Sequence, residues 1–318
     1  MRRRRARGQH LLVRRRLTQR RSVTVLVGGV SELFQSDLDL GRLAVEQLLC
    51  EDLGPDVSVE ELHYGAVAVA QRLEELRPDT LVLISAVRRD RPPGTVERRR
   101  LDPPELTPAQ LQAAVGDAVT GYVHVDLVID VAAGLGVLPP RTVSIEVEPE
   151  RTSFGEGLTL SAQRGLAAAM EHVRTELRRT ALLRLATDLR PLVEGDRLQR
   201  SAPRDTLREL LDELVQLDRE ARWGRTFTLR DRLRLSIAND LSSEGMDQVD
   251  WALWWALLEE LDRLQAAEAL PPDPGGPADP RTRPQGACAR RGEAPAVSRA
   301  PRAARGSVAG PPPDVLEQ

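Results

Sequence analysis

The stretch Val23-Thr-Val-Leu-Val-Gly-Gly-Val-Ser-Glu-Leu-Phe-Gln-Ser-Asp-Leu-Asp-Leu-Gly41 decides the fold. An apolar run ends in two glycines, a loop follows, and Leu40, Leu43, Val45 and Leu48 then recur at helical spacing. A strand, a glycine loop and a helix start in this order form the opening unit of an α/β sheet, with residues 23–28 as the strand. Ser36 suits the N-cap of the helix and Asp39 its N3 position. The loop is not a phosphate cradle: Gly28-Gly29-Val30-Ser31 departs from G-x-G-x-x-G, and no Gly-Lys-Ser/Thr follows.

The alternation continues to about Glu176. Residues 57–63 and 80–86 read as the next strands, with a helix over 66–76 between them. Thr80-Leu-Val-Leu-Ile-Ser-Ala86 is nearly all apolar and is expected at the sheet centre, buried on both faces. After the turn Pro92-Pro93-Gly94, residues 95–100 are predicted as an edge strand whose arginines suit exposure. Thr107-Pro108-Ala109-Gln110 is a capping box with proline at N1, opening a helix to residue 119. A second helix is expected over 125–135, a strand over 141–148, and a long amphipathic helix from Leu158 onward. The predicted fold is a three-layer α/β/α domain with a mostly parallel central sheet over 22–190.

Residues 196–268 change character, with helices predicted over 205–221, 228–243 and 246–268 and Gly245 as the last breaker. This is a small all-helical region. Trp251, Trp254, Trp255 and Leu258 fall on one apolar face of its third helix and are expected in its core. Residues 269–318, rich in Pro, Ala, Gly and Arg, are expected to be a disordered tail. Ten arginines crowd residues 1–21, also expected to be a disordered tail. No aromatic residues are interleaved there for base stacking, which argues against a nucleic-acid partner.

The 318 residues are 41% hydrophobic with a formal net charge of −3, a globular composition. No apolar run approaches the about 18–20 residues needed to cross a bilayer, and no apolar secretory h-region stands near the start, so a cytoplasmic protein with no membrane partner is expected. Every cation apart from histidine is arginine. Cys50 and Cys288 lie far apart, which excludes a disulfide framework or a Cys-rich metal site.

Open α/β sheets gather reactive groups at the carboxyl ends of their strands. There the chain places Asp37 and Asp39 after the first strand, His63 at the end of the second, Ser85 at the end of the third and His124 before a later helix. Imidazole and carboxylate donors suit nickel, zinc or iron. The same aspartates equally suit a helix N-terminus, where the dipole favours negative charge. Glu148 and Glu150 flank Pro149 at a strand end, as acid–base carboxylates or as an ordinary turn. No serine sits in G-x-S-x-G.

The ordered set of elements and motifs resembles the hydrogenase maturation protease family, endopeptidases that trim the C-terminal tail of the nickel-iron hydrogenase large subunit after nickel insertion. The matching pieces are Val25-Leu-Val-Gly-Gly-Val30 with the Ser36-Asp37 helix start and Gly41; Leu81-Val-Leu-Ile-Ser-Ala-Val87 followed by Pro93-Gly94-Thr95; His124 with Asp130; and Glu148-Pro149-Glu150 leading to Gly157-Leu158-Thr159. They run in order from about Ser22 to Leu177. The resemblance implies the hydrogenase large-subunit precursor as partner, the nickel of that precursor as the metal met, and metal-dependent peptidase activity.

By the same resemblance the family's histidine position is His124 and its aspartate at the helix start is Asp37. The metal-engaging glutamate that should follow is Leu38, and the strand-end aspartate is Ser85. Asp37, Asp39 or His63 are the candidate replacements for the lost acids. In the other reading Leu38 fills the emptied pocket and the site is degenerate. The implied function is binding of the precursor and cleavage of its C-terminal extension, or a non-catalytic scaffold or chaperone for hydrogenase assembly.

Overall fold

The computed structural model describes residues 25–119, 123–194, 202–220, 223, 226–240 and 248–268. The expectations for the tails 1–21 and 269–318, and for Val23, Thr24, Gly245 and Cys288, concern residues outside these.

Five strands form one sheet: β1 (Val25–Gly29), β2 (Val57–Glu61), β3 (Thr80–Ala86), β4 (Val96–Leu101) and β5 (Arg141–Val147), in the order β2-β1-β3-β5-β4. All neighbours are parallel except β4, which runs antiparallel to β5. The apolar run of β3 is buried at every residue, as its composition requires of a strand covered on both faces.

Successive strand residues point to opposite faces, which sorts the core into two layers. On one face Val25, Val27, Val82, Ile84, Val143 and Ile145 pack with α1 (Leu40–Leu48) and the first half of α5 (Leu160–Glu194). On the other, Leu26, Leu81 and Leu83 pack with α2 (Ala66–Leu76), α3 (Pro108–Val119) and α4 (Val125–Gly134). This is the expected three-layer α/β/α arrangement. The glycines of the opening stretch set the spacing of α1 on the sheet. A Cβ on Gly29 would run into the Gly41 carbonyl, and one on Gly41 into the carbonyls of Val30 and Ile84. Neither position admits a side chain while α1 sits this close.

The helix start differs from the sequence expectation. Ser36–Asp39 forms a 3₁₀ turn and α1 begins at Leu40. Ser36 does not cap it; the residue is buried with φ 50°, and its Oγ donates to the Ser153 carbonyl at 2.8 Å. The loop before α1 is tied to the loop after β5: Gly155 N–H donates to Phe34 O (2.8 Å) and Ser36 N–H to Gly155 O (2.9 Å). These distant partners win over the local cap.

Two of the three arginines of β4, expected to face solvent, turn inward instead: Arg98 and Arg100 are nearly withdrawn from water, whereas Arg99 stays partly in solvent. Arg98 donates to both oxygens of Glu176 on α5 (2.9 and 3.2 Å) and to Asp218 (3.3 Å) on α6 (Ala202–Arg219). Arg141, at the amino end of β5, donates to Glu176 (2.7 Å), to both Asp218 oxygens (2.9 and 3.2 Å) and to Thr180 (2.8 Å). Arg179 donates to Glu176 and lies 5.0 Å over the Trp223 ring. Burial pushes the Glu176 carboxyl up, but Arg141, Arg98 and Arg179 outweigh it and hold it down to about 2.

This network joins the sheet to the helical region, which comprises α6, α7 (Thr226–Asp240) and α8 (Gln248–Glu268). Leu182, Ala186, Leu189 and Val193 from the second half of α5 complete the core of that region with Leu210, Leu214, Leu233, Trp254, Leu257 and Leu261. Helix α5 therefore serves both cores. Trp254 is fully buried as expected, whereas Trp255 is half exposed. Its neighbour Trp254 already holds the inward direction, and adjacent helical residues point about 100° apart. The Trp251 side chain lies outside the described residues. Among the described residues no helix is long and apolar enough to cross a membrane.

Candidate functional site

The chain passes from β1 outward to β2 and then back across to β3, so the carboxyl ends of β1 and β3 flank a topological switch point. Ligands of open α/β sheets bind in such crevices. The segments 30–39, 85–95 and 148–159 leave the sheet at this edge, and Asp37 pins two of them together.

Asp37 is fully buried. Its carboxylate accepts the N–H groups of Glu150 (2.9 Å), Arg151 (2.8 Å) and Thr159 (2.7 Å) and the Thr159 hydroxyl (2.9 Å). Four donors on one buried carboxylate, three of them backbone N–H groups, hold it as the acceptor against this loop. The aspartate thus turns inward, but toward the 148–159 loop, with three of the donors on Oδ2 and one on Oδ1. Thr159 Oγ1 lies 2.9 Å from Ser161 Oγ, which in turn donates to Glu150.

The other candidates are held separately. Asp39 accepts Arg42 Nε (2.8 Å) and Nη2 (2.5 Å) on the same helix start. His63, just beyond β2, has Nδ1 3.4 Å from Glu61 and meets Tyr64 edge-on. His124 is the N-cap of α4, its Nδ1 accepting the Leu127 N–H at 3.2 Å. Ser85 is buried and its hydroxyl donates to the Ala86 carbonyl (3.3 Å). Leu38 packs against the apolar layer between the sheet, α1 and α5.

Among the described residues no group of three or more His, Cys, Asp and Glu side chains is placed to hold a metal ion. These residues do not fit a nickel ion held by this chain. Leucine offers no donor, the Ser85 hydroxyl is engaged with the backbone, and the Asp37 carboxylate is turned into the 148–159 loop.

Sequence reading missed the charged cluster that does stand at this edge. Arg89, in the segment after β3, donates from Nη1 and Nη2 to Asp126 (2.9 and 2.7 Å) and from Nε and Nη2 to Glu146 (3.1 and 3.1 Å). Arg99 Nη1 reaches Glu146 at 2.9 Å. Arg91 Nε reaches Glu148 at 3.1 Å, and the Arg89 backbone N–H donates to both Glu148 oxygens (3.1 and 2.9 Å). For Asp126, burial works upward and Arg89 outweighs it, leaving the carboxyl below its ordinary range. A signal was available: Thr142, Ser144 and Glu146 alternate with Val143, Ile145 and Val147, so a charge sits at a buried strand position and requires a partner.

Two phenylalanines also come together there. Phe34 and Phe154 lie on the two tied loops with ring centroids 6.5 Å apart, and both are exposed.

No protein-family model matches the chain, and no curated protein matches it. Among solved structures it is similar to a hydrogenase 2 maturation peptidase from a Thaumarchaeota archaeon, with 20% identity over 48% of this chain and 97% of that one and a TM-score of 0.36. The hydrogenase maturating endopeptidase HybD from E. coli matches with 25% identity over 49% of this chain and 93% of its own, TM-score 0.37. The NiFe hydrogenase maturation protease HybD from Thermococcus kodakarensis matches with 16% identity over 48% and 99%, TM-score 0.34. The likeness spans about half of this chain.

Proposed function

We propose that this chain is a hydrogenase maturation protease-like protein that binds the nickel-loaded precursor of a hydrogenase large subunit in the cytoplasm, and that it does so as a non-catalytic scaffold or chaperone. The motifs that resemble the family fall in order along one α/β scaffold, which supports this reading. The observation that separates scaffold from protease is the use made of the metal-engaging positions. Leu38 is part of the apolar layer, Ser85 bonds the backbone, and His124 caps a helix through Nδ1. A peptide carbonyl polarised by a metal needs that metal fixed by several donors, and the set present here supplies one imidazole nitrogen.

The second reading, cleavage of the C-terminal extension, rests on the remaining His124 Nε2 acting on a nickel ion that the precursor itself holds. Co-expression of a large-subunit precursor with the chain, followed by size-exclusion chromatography, tests the binding. Co-elution is expected, and separate elution of two folded proteins overturns the proposal. Loss of the precursor's tail that requires His124 would replace the scaffold reading with the protease.

A further inference from the structure

We infer that Phe34 and Phe154 form a docking surface for an extended segment of the precursor in which an apolar side chain stands beside a carboxylate. This names the contact surface of the reading above and rests on it for the identity of the partner.

The chain is 3% aromatic and has three phenylalanines, and two of them stand at this edge with 54% and 82% of their surface exposed. Leu33, next to Phe34, is exposed as well. Neither ring belongs to an apolar layer of the sheet, so core packing does not account for them. The rings meet at 6.5 Å with their planes tilted by 36°, a platform on which one apolar side chain touches both.

The backbone holds this platform at a cost. Phe34 has φ 61°, in the left-handed region that a bulky side chain rarely occupies. The tie between the loops keeps it there: the Phe34 carbonyl accepts the Gly155 N–H, and Ser36, itself at φ 50°, donates to Gly155. On the other loop, Asp37 fixes the N–H of Arg151, three residues before Phe154. Two exposed rings on a tied frame lose little freedom when a partner arrives, which suits a recognition surface.

Charge selects the occupant. Arg88 donates from Nη2 to the Thr152 hydroxyl (2.6 Å), and Arg151 from Nε to Ser36 Oγ (3.0 Å) and from Nη2 to the Gly157 carbonyl (3.4 Å). Both guanidiniums thus lie on the tied loops and meet only neutral acceptors among the described residues; the loop acids Glu32 and Glu156 pair with neither. Arg89 and Arg91, by contrast, are already taken by carboxylates. Exposed rings beside cations without a counter-charge match an apolar residue flanked by an acid.

The test is an array of short overlapping peptides tiling a large-subunit precursor, probed with the tag-free chain, beside co-elution with the intact precursor. The wild type is expected to retain peptides that combine apolar and acidic residues. F154A, and F34G, which removes the ring while relieving the left-handed backbone, should weaken those peptides at least about tenfold in titration without lowering the melting temperature. R88Q should weaken them less and flatten their salt dependence. Folded F34G and F154A that bind as the wild type does overturn the inference. So does retention of no peptide or only of basic ones, a marked fall in the melting temperature of both variants, or wild-type self-association that F154A abolishes. Co-elution that survives both substitutions refutes this surface and keeps the precursor as partner, whereas a wild type that never co-elutes refutes the partner itself.

Discussion

Two arginine–carboxylate networks stand at opposite ends of the same strand and differ in what they do. At the amino end of β5, Arg141 meets Glu176 and Asp218 with every partner nearly withdrawn from water. At the carboxyl end, Glu146 meets Arg89, Arg91 and Arg99, and the pair Arg89–Asp126 stays partly in solvent. A dry network fails as a unit when one member is removed, because the remaining charges are left buried and unpaired. A wet one tolerates loss, since water replaces the partner. The amino-end network is therefore a structural joint between sheet and helical region, and the carboxyl-end network shapes a surface.

The largest effect should come from breaking the joint. Asp218→Asn is expected to cost roughly 3–5 kcal/mol in urea unfolding, because Arg98 and Arg141 lose a shared counter-charge. The pH dependence has a definite sign. Glu176 is held well below the usual carboxylate range, at about 2, so its contribution is full above the ordinary carboxylate pKa and is lost as pH falls from there toward about 2. Acid unfolding of the wild type should show that loss, and Glu176→Gln should remove that part of it.

Next comes the pin at the switch point. Asp37→Asn is expected to cost about 3 kcal/mol, since an amide cannot accept from four donors and its own N–H₂ would face them. Hydrogen exchange should rise in residues 148–159 ahead of the rest of the sheet. Arg89→Met should cost less than about 2 kcal/mol, because Glu146 keeps Arg91 and Arg99 while Asp126 can hydrate. A loss as large as that of Asp218→Asn would erase the distinction between the two networks. The smallest change should follow Glu51→Gln, which breaks a partly exposed pair with Arg174 and should shift stability by less than about 1 kcal/mol.

The fold was legible wherever local pattern and tertiary demand agree. The apolar run of β3 and the close glycines Gly29 and Gly41 carry the layer structure directly. The capping box Thr107–Gln110 also forms as read, with the Thr107 N–H on Gln110 Oε1 at 2.9 Å. The site was legible only as a set of positions. Asp37 follows a serine at an apparent helix start, a pattern shared by any dipole-favoured acid. Its real partners lie more than a hundred residues away, and no local spacing encodes them. The edge-strand arginines misled for the same reason, since the acids that draw Arg98 inward come from α5 and α6. Leu38 differs, since a leucine offers nothing but packing wherever it stands, and it packs against the apolar layer.

The central claim is that this scaffold engages a precursor without cutting it, and the intact mass of a large-subunit precursor purified in complex with the chain tests it most directly. A co-purified precursor with its full C-terminal extension is the expected result. A precursor shortened at its C-terminus by the wild-type chain, and left whole by His124→Ala, would contradict it.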